Sequence, residues 1–391
     1  MRLDGIRVLD LTRLLPGPYA TQLLADSGAE VVKIEDTDAG DYAREGKPRS
    51  DRGVGAVFEM VNRGKRSVSI DLKTSDGRTA FYQLVEDADV VFEGFRPDVV
   101  DRLEIDYETL TSYNEELVYC SLTGYGQDGP WSDRVGHDLN YVGLAGLLDM
   151  TRESASDKPQ MPGYPIGDMA GGLFAAFAIT EALLSRELGN TGGEYIDVAM
   201  TDVVASFSQS IAYQALTQDS AAPRPGETHL TGSVPWYDSY KTADEQWVTL
   251  AALEPKFWRS FCEAVGKEHL IKAHTNPDSD TLADVTRELE ELFARRTREE
   301  WEEMLGTVEA AFGSVYSPAE MVDHPQITNR GLIERPDDAP PCVGFPARSS
   351  EMAERSDKRL PEQGEHTDKY LAEAGYTDDE INELRDAGVV K

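Results

Sequence analysis

Short apolar runs and longer amphipathic segments alternate along the first two hundred residues. Residues 6–11 and 30–34 are apolar enough to form buried strands, and residues 18–27 between them have the spacing of a helix that ends at Gly28. The alternation continues with strands at 67–72, 90–95, 118–123 and 195–199 and with helices at 78–86, 107–114 and 168–186. Strands that alternate with helices predict an α/β fold with a mostly parallel, Rossmann-like sheet.

The pattern changes near residue 219. Residues 219–232 are rich in proline and glycine, which indicates a boundary between two units. A predicted strand at 247–252 and predicted helices near 256–265, 283–294 and 298–305 follow it. After Glu334 the chain is rich in proline, and it ends with an acidic helix at 378–386.

The charge of the chain is strongly negative. Its 391 residues include 72 Asp and Glu against 38 Lys and Arg, which gives a formal net charge of −34. A field of this sign repels nucleic acid and anionic membranes, so neither is expected as a partner. Because the carboxylates are spread along the chain rather than gathered in a tail, we interpret them as a salt-adapted, halophile-type surface.

Cysteine content and the N-terminal segment indicate a reducing compartment. The three cysteines have no paired spacing, which favours neither disulfides nor a metal site. The N-terminus begins directly with a predicted strand, and the best apolar stretch, residues 169–184, is short for a membrane span and contains Glu181. A cytoplasmic location is therefore expected.

Several common catalytic motifs are absent from the sequence. The segment Arg13-Leu-Leu-Pro-Gly-Pro18 stands where a dinucleotide enzyme has its glycine-rich phosphate loop. The chain has no Walker A motif, no H-E-x-x-H pair and no G-x-S-x-G elbow, and its six histidines are scattered singly. Nicotinamide, metal, phosphoryl-transfer and serine-hydrolase chemistry are thus disfavoured, and no metal site is predicted.

The segment Gly167-Asp168-Met-Ala-Gly-Gly172 is the strongest candidate for chemistry. It places an Asp at a predicted helix start, next to residues small enough for a ligand to approach the backbone. Asp commonly caps a helix N-terminus, so a structural cap and a reactive carboxylate are both open interpretations from the residues alone.

A series of sequence blocks resembles the class III CoA-transferase family of the CaiB/BaiF type, which includes α-methylacyl-CoA racemases. The blocks are Gly17-Pro-Tyr-Ala20, Gly28-Ala-Glu-Val-Val-Lys-Ile-Glu35, Asn62-Arg-Gly-Lys-Arg-Ser-Val-Ser-Ile-Asp-Leu-Lys73, Phe92-Glu-Gly-Phe-Arg-Pro97, Gly124-Tyr-Gly-Gln-Asp-Gly-Pro130 and Gly167-Asp168. The resemblance implies an interlocked homodimer. It also implies a large Rossmann-like, CoA-binding domain at 1–205 plus 330–391, a linker at 206–232 and a smaller α+β domain at 233–329.

The resemblance implies two alternative reactions. In a transferase, Asp168 attacks the thioester of a succinyl-CoA-type donor, and CoA passes to a small carboxylic acid, for example a dicarboxylate such as mesaconate, through an aspartyl covalent intermediate. Backbone N–H groups at the helix start are the candidate oxyanion stabilisers. In a racemase, Asp168 and His137 are the two bases, and Glu254 is the partner of His137. A third alternative is a non-catalytic CoA-binding protein in which Asp168 only caps the helix.

The CoA thioester is expected as a substrate, and no permanently bound cofactor is implied. The resemblance assigns its contacts to Leu14, Leu15, Ile70, Lys73, Gly94, Phe95 and Arg102. Many relatives have an Arg where this chain has Asp36, so Lys33 and Arg44 are the candidates to replace that phosphate contact.

Overall fold

The computed structural model describes residues 2–217, 222–275, 277–337, 339–351 and 358–391. The chain forms two compact units. Unit one contains Met1–Gly146, Gly163–Phe207 and Arg330–Lys391, and unit two contains Leu147–Pro162 and Ser208–Asn329.

This division differs from the predicted domain boundaries in residues 147–162 and in much of the predicted linker, which belong to unit two. The backbone explains part of the difference. A Cβ atom on Gly226 would lie 2.2 Å from the carbonyl oxygen of Glu153, so the two segments are packed backbone to backbone. Residues 218–221 of the predicted linker lie outside the described residues.

A six-stranded parallel sheet forms the centre of unit one, with the order β3-β2-β1-β4-β5-β6. Its strands are β1 (Arg7–Asp10), β2 (Glu30–Glu35), β3 (Arg66–Ser69), β4 (Val90–Glu93), β5 (Val118–Thr123) and β6 (Glu194–Ala199). The inner strands read as continuous apolar runs because helices cover both of their faces. The predicted α/β fold with a mostly parallel sheet is thus confirmed. The strand order reverses between β1 and β4, and ligands of such sheets bind at the carboxyl ends of the strands beside this point.

Helices cover the two faces of this sheet. They are α1 (Pro16–Asp26), α2 (Ala56–Val61), α3 (Ser75–Glu86), α4 (Val99–Arg102), α5 (Tyr107–Thr111), α6 (Asp138–Leu144), α7 (Ile166–Glu187), α8 (Met200–Ser206), α15 (Thr367–Glu373) and α16 (Asp378–Asp386), with the numbers between belonging to helices of unit two. One core lies under α3, α15 and α16 and includes Phe81, Tyr370 and Ile381. The other lies under α1, α7 and α8 and includes Ala20 and Ile179.

The helix α7 is central to unit one. Among the described residues it is the one helix long and apolar enough, by length and composition, to cross a membrane. Its glycines allow close packing within the unit instead. A Cβ on Gly171 would lie 2.4 Å from a side-chain carbon of Met200, and one on Gly172 would lie 2.3 Å from the carbonyl oxygen of Pro16. The buried side of α7 therefore packs directly against α8 and the start of α1.

Unit two contains an antiparallel sheet of β7 (Tyr237–Lys241), β8 (Trp247–Ala251) and β9 (Phe312–Ser314). Its helices are α9 (Tyr213–Thr217), α10 (Pro255–Ala264), α11 (Ser279–Phe293), α12 (Arg298–Leu305), α13 (Pro318–Met321) and α14 (Pro325–Asn329). Buried aromatic residues, among them Trp258, Phe293 and Trp301, form its core. A short antiparallel pair, β10 (Ile333–Glu334) and β11 (Cys342–Val343), lies in the last part of unit one.

Candidate active site

A groove runs along the carboxyl ends of the parallel strands in unit one. It consists of two neighbouring clefts of about 390 and 500 Å³, which is within the range of ligand-binding sites. The first contains His137 and Asp168, and the second contains Lys73 and Arg102. The residues that line both clefts are Leu11, Arg13, Tyr42, Phe95 and Val99. Because they share this lining, the clefts form one continuous groove.

The half-buried side chain of Asp168 lines the first cleft. Asp168 is the third residue of α7, whose N-cap residue is Pro165, and no side chain of that cap residue bonds to the helix. Among the described residues, no donor forms a hydrogen bond with the Asp168 carboxylate. The interpretation of Asp168 as a helix cap is therefore wrong, and its carboxylate is available for chemistry.

The cap of α7 comes from a different helix. The Oδ1 atom of Asp138, the first residue of α6, accepts hydrogen bonds from the backbone N–H groups of Gly167 at 2.6 Å and Asp168 at 3.1 Å. These two N–H groups are therefore occupied by Asp138, and in this arrangement they are not free to stabilise an oxyanion. Sequence reasoning missed Asp138, although it directly follows the candidate base His137.

Burial, followed by the negative charge of Asp138, raises the pKa of Asp168 to about 6, while His137 has the opposite effect. Asp168 in turn contributes, after burial, to the rise in the pKa of Tyr141 to about 12. A carboxyl group with a pKa near 6 can exchange a proton near neutral pH, and when ionised it is a stronger base and nucleophile than an ordinary carboxylate.

The candidate bases other than Asp168 lie in different units. His137 is the N-cap residue of α6, and its backbone N–H donates to the Oδ1 atom of Asn140 at 3.0 Å. Its exposed side chain lines the same cleft as Asp168. Glu254 is an exposed residue at the N-cap of α10 in unit two. The structure thus brings His137 and Asp168 to one cleft, whereas the role of Glu254 stays a prediction.

The residues predicted to contact CoA are distributed along the groove. Leu14 and Gly94 line the first cleft, Ile70, Lys73 and Arg102 line the second, and Phe95 lines both. Leu15, the half-buried N-cap residue of α1, lines neither cleft. The basic residues of the second cleft are suited to phosphate groups.

Neither residue suggested as a replacement for the missing phosphate contact lines the groove. Lys33 is fully buried, with its Nζ atom 3.0 Å from Asp41, and Arg44 forms an ion pair with Glu35. That suggestion is therefore wrong. The guanidinium group of Arg13 lies 3.6 Å from the carboxylate of Asp36 and lines both clefts instead.

Two further features of the groove were not predicted. Arg13 lies over the rings of Tyr42 and Phe95, with 5.2 and 5.6 Å to their centroids, which fixes a cation at the junction of the clefts. Leu14 has a positive φ of 65°, and its backbone N–H donates to Asp41 at 3.0 Å. A side chain rarely tolerates this backbone region without such support. Leu14 was predicted as a CoA contact, but its backbone conformation was not, and only the proximity of Arg13 to the Pro-Gly segment could have pointed to Arg13.

Comparisons with known proteins agree on one family. The model of CoA-transferase family III matches residues 3–367. A succinyl-CoA:mesaconate CoA-transferase of Haloarcula hispanica is 35% identical over 95% of this chain and 96% of its own length. An alpha-methylacyl-CoA racemase of Mus musculus is 32% identical over 100% of this chain and 98% of its own length. A crystal structure of a CAIB/BAIF family protein from Brucella suis has a TM-score of 0.82 and 30% identity, and covers 95% of this chain and 99% of that chain.

Proposed function

The chain belongs to CoA-transferase family III, and we propose that it transfers CoA from an acyl-CoA of the succinyl-CoA type to a small carboxylic acid. The observation that carries this proposal is the Asp168 carboxylate, which lines a ligand-sized groove and has no hydrogen-bond donor among the described residues. A carboxylate that caps or bridges nothing, in a groove that also contains basic groups for phosphate, is suited to covalent acyl chemistry.

In the proposed reaction, an oxygen of Asp168 attacks the thioester carbon of the donor and expels CoA thiolate, which leaves a mixed anhydride. The thiolate then attacks the aspartyl carbonyl carbon and releases the donor acid, so an aspartyl-CoA thioester forms. The acceptor carboxylate attacks the aspartyl carbonyl carbon of that thioester and expels CoA thiolate, which leaves a second mixed anhydride. The thiolate then attacks the acceptor carbonyl carbon of this anhydride, so that acceptor-CoA forms and the Asp168 carboxylate leaves. Free Asp168 returns and no external oxidant, reductant or water is consumed.

A small dicarboxylate such as mesaconate is the proposed acceptor. The Haloarcula hispanica relative is named for this substrate, which supports the same class here. The first cleft is also lined by arginines that could attract the second carboxylate, since guanidinium groups match carboxylates in shape and charge. These arginines are Arg13, Arg96 and Arg134.

Racemisation of a 2-methylacyl-CoA is the second candidate function. It is favoured by the presence of His137 and Asp168 in one cleft. One of these residues would remove the α-proton, and the protonated form of the other would return a proton to the opposite face. Glu254 stays the proposed partner of His137. The third alternative, a silent CoA-binding protein, required Asp168 to cap α7 and has lost that support.

A direct experiment separates the two reactions. The purified protein is mixed with succinyl-CoA and a panel of acids, and separately with a 2-methylacyl-CoA in heavy water. New thioesters indicate transfer, and deuterium at the α-carbon indicates racemisation. We expect Asp168→Asn to abolish the observed reaction and His137→Ala to abolish only racemisation. Asp133→Asn, an exposed change in the neighbouring loop, is the control. Full transfer by Asp168→Asn would contradict the proposed mechanism.

We also propose that the protein acts as an interlocked homodimer. Large apolar side chains on the outer side of α7 support an interface with a second copy, because such side chains rarely cluster on a free surface. They are Leu173, Phe174, Phe177 and Leu184, of which Leu184 is 58% exposed. Light scattering should give twice the chain mass of 43.2 kDa, and a mass of one chain would contradict the dimer.

A further inference from the structure

We propose that Asp138 is a positioning residue for the reaction: it fixes the first turn of α7 and holds a second negative charge beside Asp168. This inference rests on the proposed function, because it assigns a role to a neighbour of the reactive carboxylate. Asp138 does not need to touch the substrate to fulfil it.

The geometry of the α7 start requires a partner from outside the helix. The first N–H groups of a helix have no acceptor within it, and the N-cap residue Pro165 provides no side-chain acceptor. A single oxygen of Asp138 accepts from the N–H groups of Gly167 and Asp168. A Cβ atom on Gly167 would lie 3.0 Å from that oxygen, so glycine allows this close approach. Asp138 thus bonds directly to the backbone of the reactive residue.

The same contact connects the two elements that carry the candidate bases. Asp138 directly follows His137, whose backbone is itself fixed by the Asn140 side chain. A displacement of Asp138 would therefore change the position of Asp168 relative to His137. Displacements of about 1 Å can reduce catalysis by about 100-fold.

The charge of Asp138 has a second consequence. The first turn of a helix favours a negative charge through its partial positive charge, which lowers the proton affinity of a carboxylate placed there. Asp138 already satisfies these N–H groups, and its charge acts after burial to raise the pKa of Asp168. The other titratable groups that line this cleft are His137, which opposes this rise, and the tyrosines Tyr42, Tyr125 and Tyr141. The permanently charged groups that line the same cleft are Arg13, Arg96 and Arg134.

Two substitutions separate the bonding role from the charge. In Asp138→Asn, the amide oxygen still accepts both hydrogen bonds but the charge is lost. We expect its kcat/KM profile to keep its plateau, while the acid limb moves to lower pH by about 1 unit. In Asp138→Ala the bonds are also lost, and we expect kcat to fall by about 100-fold at every pH, with a smaller change in the KM for acyl-CoA. Asp133→Asn removes a charge from the neighbouring loop and should leave the acid limb unchanged.

The outcomes of this experiment distinguish a failure of the role proposed for Asp138 from a failure of the function proposed for Asp168. If Asp168→Asn is inactive but Asp138→Asn has the acid limb of the wild type, the role of the Asp138 charge is wrong. If Asp138→Ala keeps the kcat of the wild type, the positioning role is wrong. Should Asp138→Ala fail to fold, Asp138→Asn tests both roles, because a lost plateau would contradict the bonding role and an unmoved acid limb would contradict the role of the charge. Activity in Asp168→Asn would instead overturn the proposed function itself.

Discussion

Three fully buried charged residues, Asp10, Lys33 and Lys65, lie beneath the groove. The Nζ atom of Lys65 is 3.1 Å from Asp10 and also donates to the carbonyl oxygen of Pro18 at 3.0 Å. Although burial opposes ionisation, Lys65 and Lys33 hold the pKa of Asp10 at about 2. Lys33 donates to the carbonyl oxygen of Thr12 at 2.8 Å. The cluster thus fixes both ends of the segment that forms the groove wall, which gives the lysines a structural role rather than a ligand-binding one.

Glu93, at the end of β4, is also a buried charged residue, but within the described part of the chain no cation pairs with it. One of its oxygens accepts from the backbone N–H of Phe95 at 2.6 Å, and the other accepts from the hydroxyl of Ser121. Burial raises the pKa of Glu93 to about 7. The carboxyl group therefore supports the turn that carries Phe95 into the groove, and it exchanges its proton near neutral pH.

We expect Glu93→Gln to remove a pH dependence of stability. Because the pKa of Glu93 is raised on folding, its stabilising contribution is complete below the ordinary value of 4.5 and is lost as the pH rises through about 7. Above pH 7, the free energy of unfolding of Glu93→Gln should therefore exceed that of the wild type by up to about 3 kcal/mol, so the variant is the more stable protein. Urea unfolding at pH 5 and pH 8 measures the difference. Glu86→Gln, at an exposed site on α3, should follow the wild type. An equal change in the free energy of unfolding between pH 5 and pH 8 in all three proteins would contradict the assignment to Glu93.

At the scale of elements, a second prediction concerns the close contact between α1 and α7. An added Cβ at Gly172 would lie 2.3 Å from the backbone carbonyl oxygen of Pro16, whereas the closest atom to one at Gly171 is the side-chain Cγ of Met200 at 2.4 Å, with the Met200 backbone farther away at 3.5 Å. We expect Gly172→Ala to lower the free energy of unfolding by about 2 kcal/mol. In Gly171→Ala, the higher helix propensity of alanine, worth about 1 kcal/mol, should offset much of the strain. Thermal unfolding of the matched pair tests this order, and the reverse order would rule out the backbone contact as its cause.

The same elements show how far the sequence could predict the molecule. The strands of the parallel sheet were predictable because burial on both faces demands apolar runs, and their bounds differ from the structure by a few residues. The strand predicted to reach residue 95 ends at Glu93, because the Glu93 side chain turns the backbone at Phe95. The short helix α6 was not predicted, and with it Asp138 was missed. That contact joins segments 29 residues apart in the chain, and local patterns carry no information on it.

At the scale of the whole molecule, the net charge of −34 determines the electrostatic repulsion between exposed groups. The carboxylates are distributed over exposed faces of both units, for example Glu291, Glu299 and Glu303 of unit two. Repulsion between exposed charges acts over about 10 Å at 0.1 M salt and over about 3 Å at 1 M. We therefore propose that the fold is adapted to concentrated salt, which is an argument about stability and solubility rather than about the reaction.

This proposal predicts that the free energy of unfolding rises as KCl increases from about 0.1 M to about 1 M, because screening reduces repulsion in the compact state more than in the expanded chain. Salt can also strengthen apolar burial, so the comparison needs a variant that changes charge alone. The triple substitution Glu291→Gln, Glu299→Gln and Glu303→Gln serves this purpose, since none of the three side chains forms an ion pair within the described part of the chain. Its stability should exceed that of the wild type at low salt and approach it at high salt. Parallel salt curves for the two proteins would attribute the effect to apolar burial and leave the acidic surface without a role in stability.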